Sequence, residues 1–310
     1  MDKDFAAQQE KLFAAEKQAF EQAKARYLAA CEQFNYFGDE HHLLKPPTVR
    51  AAYSDRMAWI MAKMANLAYV EFERGPEERD RLELDLKSGG FTLVETFIKL
   101  DTQAFLAKSK TFAVFSFRGT QTDSVGDIDT DIQADMLATI NGKVHRGFDT
   151  AYNLIADDIN ASVSKIGKLP LYVTGHSLGA ALATIAVQSL EKSFGDQIAA
   201  LYTFGSPRVG NDEFDNSLKP PIYRMVNATD GVTLIPFVSW GYTHAGDARY
   251  LTRHGALRRG IPLRERFWDI FIAISLSLFS PPPWILRPFI YAHSMSEYIA
   301  KLEKIAEARN

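Results

Sequence analysis

Gly175-His176-Ser177-Leu178-Gly179 sets one serine between two glycines, after Leu171-Tyr172-Val173, which reads as a strand, and before Ala180 to Leu190, which reads as a helix. A strand that turns abruptly into a helix holds its central residue on a tight bend, with room only for small residues two positions away on either side. Ser177 is lifted clear of the backbone by such a bend. The helix that starts beside it directs free N–H groups at any oxyanion forming there, and the N–H of Leu178 is the first donor. The chemistry indicated is nucleophilic attack by a hydroxyl. The alternative is a glycine-rich turn that contains a serine, because Gly-x-Ser-x-Gly taken alone is a loose pattern.

A serine hydroxyl is a poor nucleophile until a histidine takes its proton, and that histidine needs an acid to fix its tautomer and stabilise the imidazolium. Where this bend serves catalysis, the order along the chain is serine, acid, histidine. The histidines after Ser177 are His244, His254 and His293, and the acids before them include Asp196, Asp212, Asp215 and Asp230. Asp230 stands out by position. Ile222 to Val226 reads as a strand and Asn227 to Gly231 as the loop at its carboxyl end, where parallel sheets assemble their sites.

Six separated blocks carry a family resemblance: Phe117-Arg118-Gly119-Thr120, Val144-His145-Arg146-Gly147-Phe148, Thr174 to Ala180, Thr203 to Asn211, Asn227-Ala228-Thr229-Asp230 with Ile235-Pro236, and Ala292-His293-Ser294-Met295. In that order they resemble the class 3 lipases, the fungal-lipase-like branch of the α/β-hydrolases. The resemblance implies an α/β-hydrolase fold, a mostly parallel central sheet flanked by helices, and a carboxylic ester hydrolase, a lipase or lipid esterase, working through a serine acyl-enzyme. It implies Ser177 as nucleophile, Asp230 as acid, His293 as base, and Thr120 with Leu178 as oxyanion-hole donors. Tyr242-Thr243-His244-Ala245-Gly246 also resembles a family block, one in which the histidine is not the base, so His244 is expected to be structural. His145 and His176 fall within blocks as scaffold residues; His254 lies in a basic stretch and His41-His42 in a turn, where surface roles are expected. A phospholipase on membrane lipids, or a catalytically silent relative that binds lipids or partners, are the alternative readings. No cofactor is implied.

Composition fits one large body. The chain has 310 residues, 46% hydrophobic and 24% charged, enough to bury a sizeable core. A formal net charge of -3 gives no reason to expect nucleic acid as a partner. Cys31 is the single cysteine, which excludes an intrachain disulfide and a cysteine metal cluster, a departure from secreted members of the family. Met1-Asp2-Lys3-Asp4 lacks the basic start and apolar run of a signal peptide. A cytoplasmic location is the default expectation for a bacterial-type member, with export by a route without a cleaved signal as the alternative.

The elements that must position these residues follow from patterning. The first 34 residues, free of proline and glycine, favour a long helix whose Phe13, Phe20, Tyr27 and Phe34 recur every seven residues. A stripe of that period packs along the body or forms a dimer seam. This divides the chain into residues 1–45, the helix, and 46–310, the catalytic body. Helices are expected over Ser54–Phe72, Pro76–Lys87 and Phe148–Ile166, and strands over Phe91–Leu100, Thr111–Phe117 and Ile198–Phe204. Strands alternating with helices predict the mostly parallel α/β sheet.

Two segments depart from a compact pattern. By the family resemblance, residues 121–142 are expected to form a lid-like segment over the serine, and they hold Asp123, Asp127, Asp129, Asp131 and Asp135. A calcium loop is disfavoured there, because its sixth position is Ile132 rather than glycine and its twelfth is Ala138 rather than glutamate. So polar a lid suits partly soluble esters or amphipathic lipids better than storage triglycerides. Residues 257–292 set Arg258, Arg259, Arg264 and Arg266 before Phe267-Trp268 and an apolar run, Ile270 to Phe279, too short to cross a bilayer. Basic residues beside tryptophan-containing apolar sequence suit peripheral contact with anionic lipid, and an apolar wall for the acyl chain suits the same residues.

Overall fold

The computed structural model describes residues 35–38, 42–44, 52–120, 135–264, 266–268, 270–271 and 291–309. The expected N-terminal helix, the calcium-loop aspartates from Asp123 to Asp131, residues 121–134 of the lid-like segment and residues 272–290 of the apolar one lie outside them, as does His41. His42 is exposed in a turn.

β1 (Thr92–Lys99), β2 (Thr102–Lys108), β3 (Ala113–Phe117), β6 (Leu171–His176), β7 (Ile198–Phe204), β8 (Ile222–Asn227), β9 (Asp247–Leu251) and β10 (Leu257–Arg259) form one sheet in that order. Strands β3 to β9 of this sheet run parallel, and antiparallel strands close both edges. The expected α/β-hydrolase architecture is present. Successive residues of the central strands face opposite layers, as the two-residue period of a strand requires. Val114, Tyr172 and Tyr202 point to one core and Phe115, Val173 and Leu201 to the other.

The first layer is built by α1 (Asp55–Leu67) and α7 (Met295–Ala308), which pack on each other. The methionine-bearing face of α1 is core, with Met57, Trp59, Met61, Met64 and Leu67 buried. Ser54 caps α1, its hydroxyl accepting from Met57 N at 3.4 Å. α2 (Pro76–Ser88) starts on proline and stops at Gly89. The second layer holds α3 (Arg146–Asn153), α4 (Ala156–Ser162) and α5 (Leu178–Phe194), the helix that follows the serine. A short hairpin, β4 (Met136–Thr139) with β5 (Gly142–His145), forms the described end of the lid-like segment. It is tied to α6 (Asp212–Ser217) through Asn211, whose Oδ1 accepts from Lys143 N at 2.8 Å and from Phe214 N at 3.1 Å.

Three local readings differ from the sequence expectation. β2, β4, β5, β9 and β10 have no counterpart among the expected strands, although the pairing of β2, β9 and β10 completes the two sides of the main sheet. The helix expected over Phe148–Ile166 is broken at Leu154 into α3, α4 and a 3₁₀ turn. Thr102 Oγ1 donates to Ala151 O at 3.2 Å, the carbonyl an unbroken helix would use to receive Ile155 N, which bonds to Tyr152 O instead. α1 ends at Leu67 rather than Phe72 because Arg118 captures the carbonyls of Ala68 and Val70, each at 2.5 Å.

Candidate active site

Ser177 sits between β6 and α5 with φ 56° and ψ −130°, a conformation that L residues rarely adopt. The flanking glycines are required by contact. A Cβ on Gly175 would come within 2.2 Å of Gly179 O, and one on Gly179 within 2.3 Å of Phe117 O. The bend is fixed from below by Ser177 N donating to Phe204 O at 3.0 Å. Because α5 begins at Leu178, the N–H of Leu178 has no carbonyl of its own helix to bond and lies next to Ser177 in the chain, while Ala180 N donates to Ser177 O at 3.0 Å. On the other side stands Gly119, where a Cβ would lie 3.2 Å from Ser177 Cβ; Thr120 follows it and is exposed, whereas Ser177 is buried.

Asp230 lies in the turn after β8 and is fully buried. Its carboxylate accepts from three donors. His293 Nδ1 is 3.0 Å from both oxygens, Val232 N is 3.0 Å from Oδ1, and the Tyr298 hydroxyl is 2.6 Å from Oδ2. A carboxylate can only accept, so Nδ1 carries the hydrogen and neutral His293 keeps its lone pair on Nε2. His293 Nε2 and Ser177 Oγ are both buried, and neither has a hydrogen-bond partner among the described residues. That leaves an acceptor and a donor unspent, suited to moving a proton from hydroxyl to imidazole once an acyl group draws them together. Gly205, with φ 55°, makes room beneath: a Cβ there would stand 2.6 Å from Asp230 Oδ2 and 2.8 Å from His293 Cε1 and Nδ1.

The histidine is carried by the segment leading into α7, and β8 anchors that segment. Asn227 Nδ2 donates to Ala292 O at 2.7 Å, and Lys301 Nζ donates to Asn227 Oδ1 at 2.6 Å. Tyr298 bonds at once to β8 and to the acid, since Asn227 N donates to its oxygen at 3.0 Å. Burial, joined by the neighbouring Asp230 charge, holds the Tyr298 pKa well above its ordinary value, so the hydroxyl remains a donor.

The other histidines stand apart from this chemistry. His254 is exposed. His145 caps α3 through Phe148 N at 3.4 Å and stacks on the Phe148 ring at 4.1 Å. His244 is half-buried and donates Nε2–H to Thr233 O at 2.8 Å. Among residues that sequence reasoning did not single out are Tyr298 and Tyr69. Arg266, expected among the basic surface residues, is buried and donates to Thr233 Oγ1 at 2.8 Å, while that hydroxyl donates to Asp230 O at 2.8 Å. No spacing in the chain marks these contacts, which join segments dozens of residues apart.

His244 makes the acid response of the fold testable. Burial first, then the positive charge of Arg224, lower its pKa well below the ordinary value. The unfolded chain takes up this proton as pH falls through about 6.5 and the folded chain resists it, so the stability His244 contributes is present above that pH and lost below it. In His244→Gln, which keeps a donor for Thr233, the unfolding free energy should fall less steeply between pH 7 and 5, by up to about 1.4 kcal/mol per pH unit. Denaturant titrations at three pH values measure this, and parallel curves for the two proteins would refute it.

Residues 114–240 match the model of the lipase (class 3) family. The chain is 40% identical over 115 residues to the secreted mono- and diacylglycerol lipase 1 of Fusarium solani, covering 35% of this chain and 34% of that protein. It is 33% identical over 166 residues to a lipase of Rhizomucor miehei, covering 49% and 46% respectively. The solved structure of the Rhizomucor miehei triacylglyceride lipase superimposes with a TM-score of 0.57 at 25% identity, covering 67% of this chain and 84% of that one. The chain spans between a third and a half of the length of the curated relatives it matches. The relatives overturn the cytoplasmic default: those from Fusarium solani, Malassezia globosa and Penicillium cyclopium are named as secreted, which points to export. The short N-terminal stretch carried too little information to decide location.

Proposed function

The chain belongs to the class 3 lipase family, and from that premise we propose that it hydrolyses carboxylic esters of lipids through a serine acyl-enzyme. The observation that carries the reading is the buried pairing of His293 Nδ1 with both oxygens of Asp230 at 3.0 Å, beside a serine strained onto a bend. Ser177 Oγ attacks the ester carbonyl while His293 Nε2 takes its proton, and Asp230 holds the tautomer and stabilises the imidazolium. The amides of Leu178 and Thr120 receive the oxyanion of the tetrahedral intermediate. His293 then protonates the leaving alcohol. It next activates the water that releases the acid, returning Ser177 to its starting state.

Monoacyl- and diacylglycerols are the favoured substrates. The names of several relatives support this class, and so do the aspartates of the lid-like sequence, which offer little apolar surface to an oil droplet. Phospholipid is the competing substrate. Labelling by a fluorophosphonate probe tests for the activated serine, and hydrolysis across monoacyl-, diacyl- and triacylglycerols, phospholipids and p-nitrophenyl esters tests the substrate. A folded chain that resists the probe and cleaves none of these would leave the silent lipid-binding reading in place.

Within residues 257–292, the described part supports peripheral contact with anionic lipid. Leu263, Phe267, Trp268 and Phe271 are exposed beside the exposed Arg258, Arg259 and Arg264. Among the described residues no helix is long and apolar enough to cross a membrane. Arg258→Glu with Arg259→Glu should abolish co-sedimentation with anionic vesicles and spare hydrolysis of a short soluble ester, and binding by the unmodified chain should weaken with salt. Vesicle binding that ignores both salt and charge reversal would reject the electrostatic contact.

A further inference from the structure

The turn that ends α1 carries Tyr69, and the two carbonyls that flank it are held by Arg118, as described above. The rest of that guanidinium is engaged by Glu73 at 2.5 and 2.8 Å and lies 4.7 Å from the Phe72 ring. Arg118 directly precedes Gly119 and Thr120, so the turn bearing Tyr69 is fastened to the strand end that leads into the oxyanion donor.

The direction of each bond beyond Tyr69 follows from what a carbonyl can do. His176 Nε2 lies 2.7 Å from His293 O, which only accepts, so Nε2 carries the hydrogen. Nδ1 is left with a lone pair, and the Tyr69 hydroxyl, 2.7 Å away, donates to it. Burial and the neighbouring His293 keep His176 neutral by lowering its pKa well below the ordinary value, which preserves this arrangement. The His176 ring also lies against the His293 ring, centroids 4.4 Å apart and planes 34° apart. Gly119 closes the group: a Cβ there would meet Tyr69 Oη at 2.3 Å and His176 O at 2.6 Å.

We infer that Tyr69 and His176 form a positioning relay that registers the oxyanion loop, the serine bend and the catalytic histidine against one another. The inference rests on the reading of Ser177, His293 and Asp230 as the catalytic groups. Asp230 holds one edge of the His293 ring, while His176 supports its face and grips its backbone carbonyl. With no hydrogen bond joining Ser177 Oγ to His293 Nε2, their alignment depends on this external support. Neither Tyr69 nor His176 is assigned a contact with substrate; both act through residues that have one.

Tyr69→Phe keeps the ring and removes the donor. Steady-state kinetics on p-nitrophenyl butyrate and the rate of fluorophosphonate labelling read the consequence in the full chain. Both kcat and the labelling rate should fall about 10- to 100-fold while KM stays within about twofold, the pattern of a misplaced reacting pair rather than lost binding. His176→Leu should fall as far. His176→Gln, which can still donate to His293 O and accept from Tyr69, should recover most of the loss. Combining Tyr69→Phe with His176→Leu should add nothing to His176→Leu alone, because the relay is already broken. A Tyr69→Phe protein with wild-type kcat and labelling rate overturns the relay, as do losses that multiply in the double variant. Ser177→Ala keeps the two readings apart: if it still hydrolyses the ester, the catalytic assignment itself fails, whereas an inert Ser177→Ala beside an unimpaired Tyr69→Phe removes the relay alone.

Discussion

Ser177→Ala is expected to fold normally, to lose about 10⁶ in kcat and to resist fluorophosphonate labelling, since removing the nucleophile of a serine enzyme removes the covalent route. The magnitude is large because without Ser177 Oγ there is no nucleophile for His293 Nε2 to deprotonate in the first step and no acyl-enzyme can form. Structure predicts a second, opposite effect at the same position. Ser177 holds φ at 56°, and strain of this kind is worth on the order of 1–3 kcal/mol. Alanine retains the Cβ and so retains the strain. Ser177→Gly relieves it, offset by the roughly 0.5–1 kcal/mol of added chain entropy that glycine brings. The glycine variant should therefore be equally inactive and about 1 kcal/mol more stable than the alanine variant. Kinetics with circular dichroism and denaturant titration check both; substantial hydrolysis by Ser177→Ala would overturn the assignment of the nucleophile.

Asp230→Asn should lower kcat by about 10⁴ without unfolding the protein, because it changes which nitrogen of His293 carries the proton. Val232 N is a fixed backbone donor 3.0 Å from Oδ1, so the amide oxygen of asparagine must sit there. The amide nitrogen then replaces Oδ2, facing His293 Nδ1 and the Tyr298 hydroxyl, and the oxygen left 3.0 Å from Nδ1 is the one already taken by Val232 N. A hydroxyl can rotate to accept; the imidazole can accept only by moving its hydrogen to Nε2. That tautomer has no lone pair to offer Ser177. Fluorophosphonate labelling should slow in parallel with hydrolysis, and the proton resonance of the His293–Asp230 pair should vanish. An Asp230→Asn protein within tenfold of wild-type kcat would mean that another acid orients the base. His244→Gln, by contrast, should remain active, since His244 is engaged with Thr233 rather than with the serine.

What could be read from consecutive residues was whatever a short stretch of backbone imposes on itself. Gly175 and Gly179 around Ser177 announce the bend because no Cβ fits at either place. The alternation of apolar strands with helical periods announces the layers, Ser54 and Pro76 mark helix starts, and Asp230 was found by its place at the end of β8. The family resemblance then chose His293 among three histidines. Tertiary structure decided everything that depends on groups remote in the chain meeting at a distance of one hydrogen bond. Thr102 breaks a helix whose own periodicity is continuous, because a hydroxyl from β2 reaches Ala151 O before Ile155 can. Arg266 looks like a surface cation and is buried against Thr233. Tyr298 and Tyr69 reach Asp230 and His176 from opposite ends of the chain, on α7 and in the turn after α1. Hydrophobic period and turn chemistry are local and leave a mark in sequence, whereas the partner of a polar side chain is set by which faces the packed layers bring together.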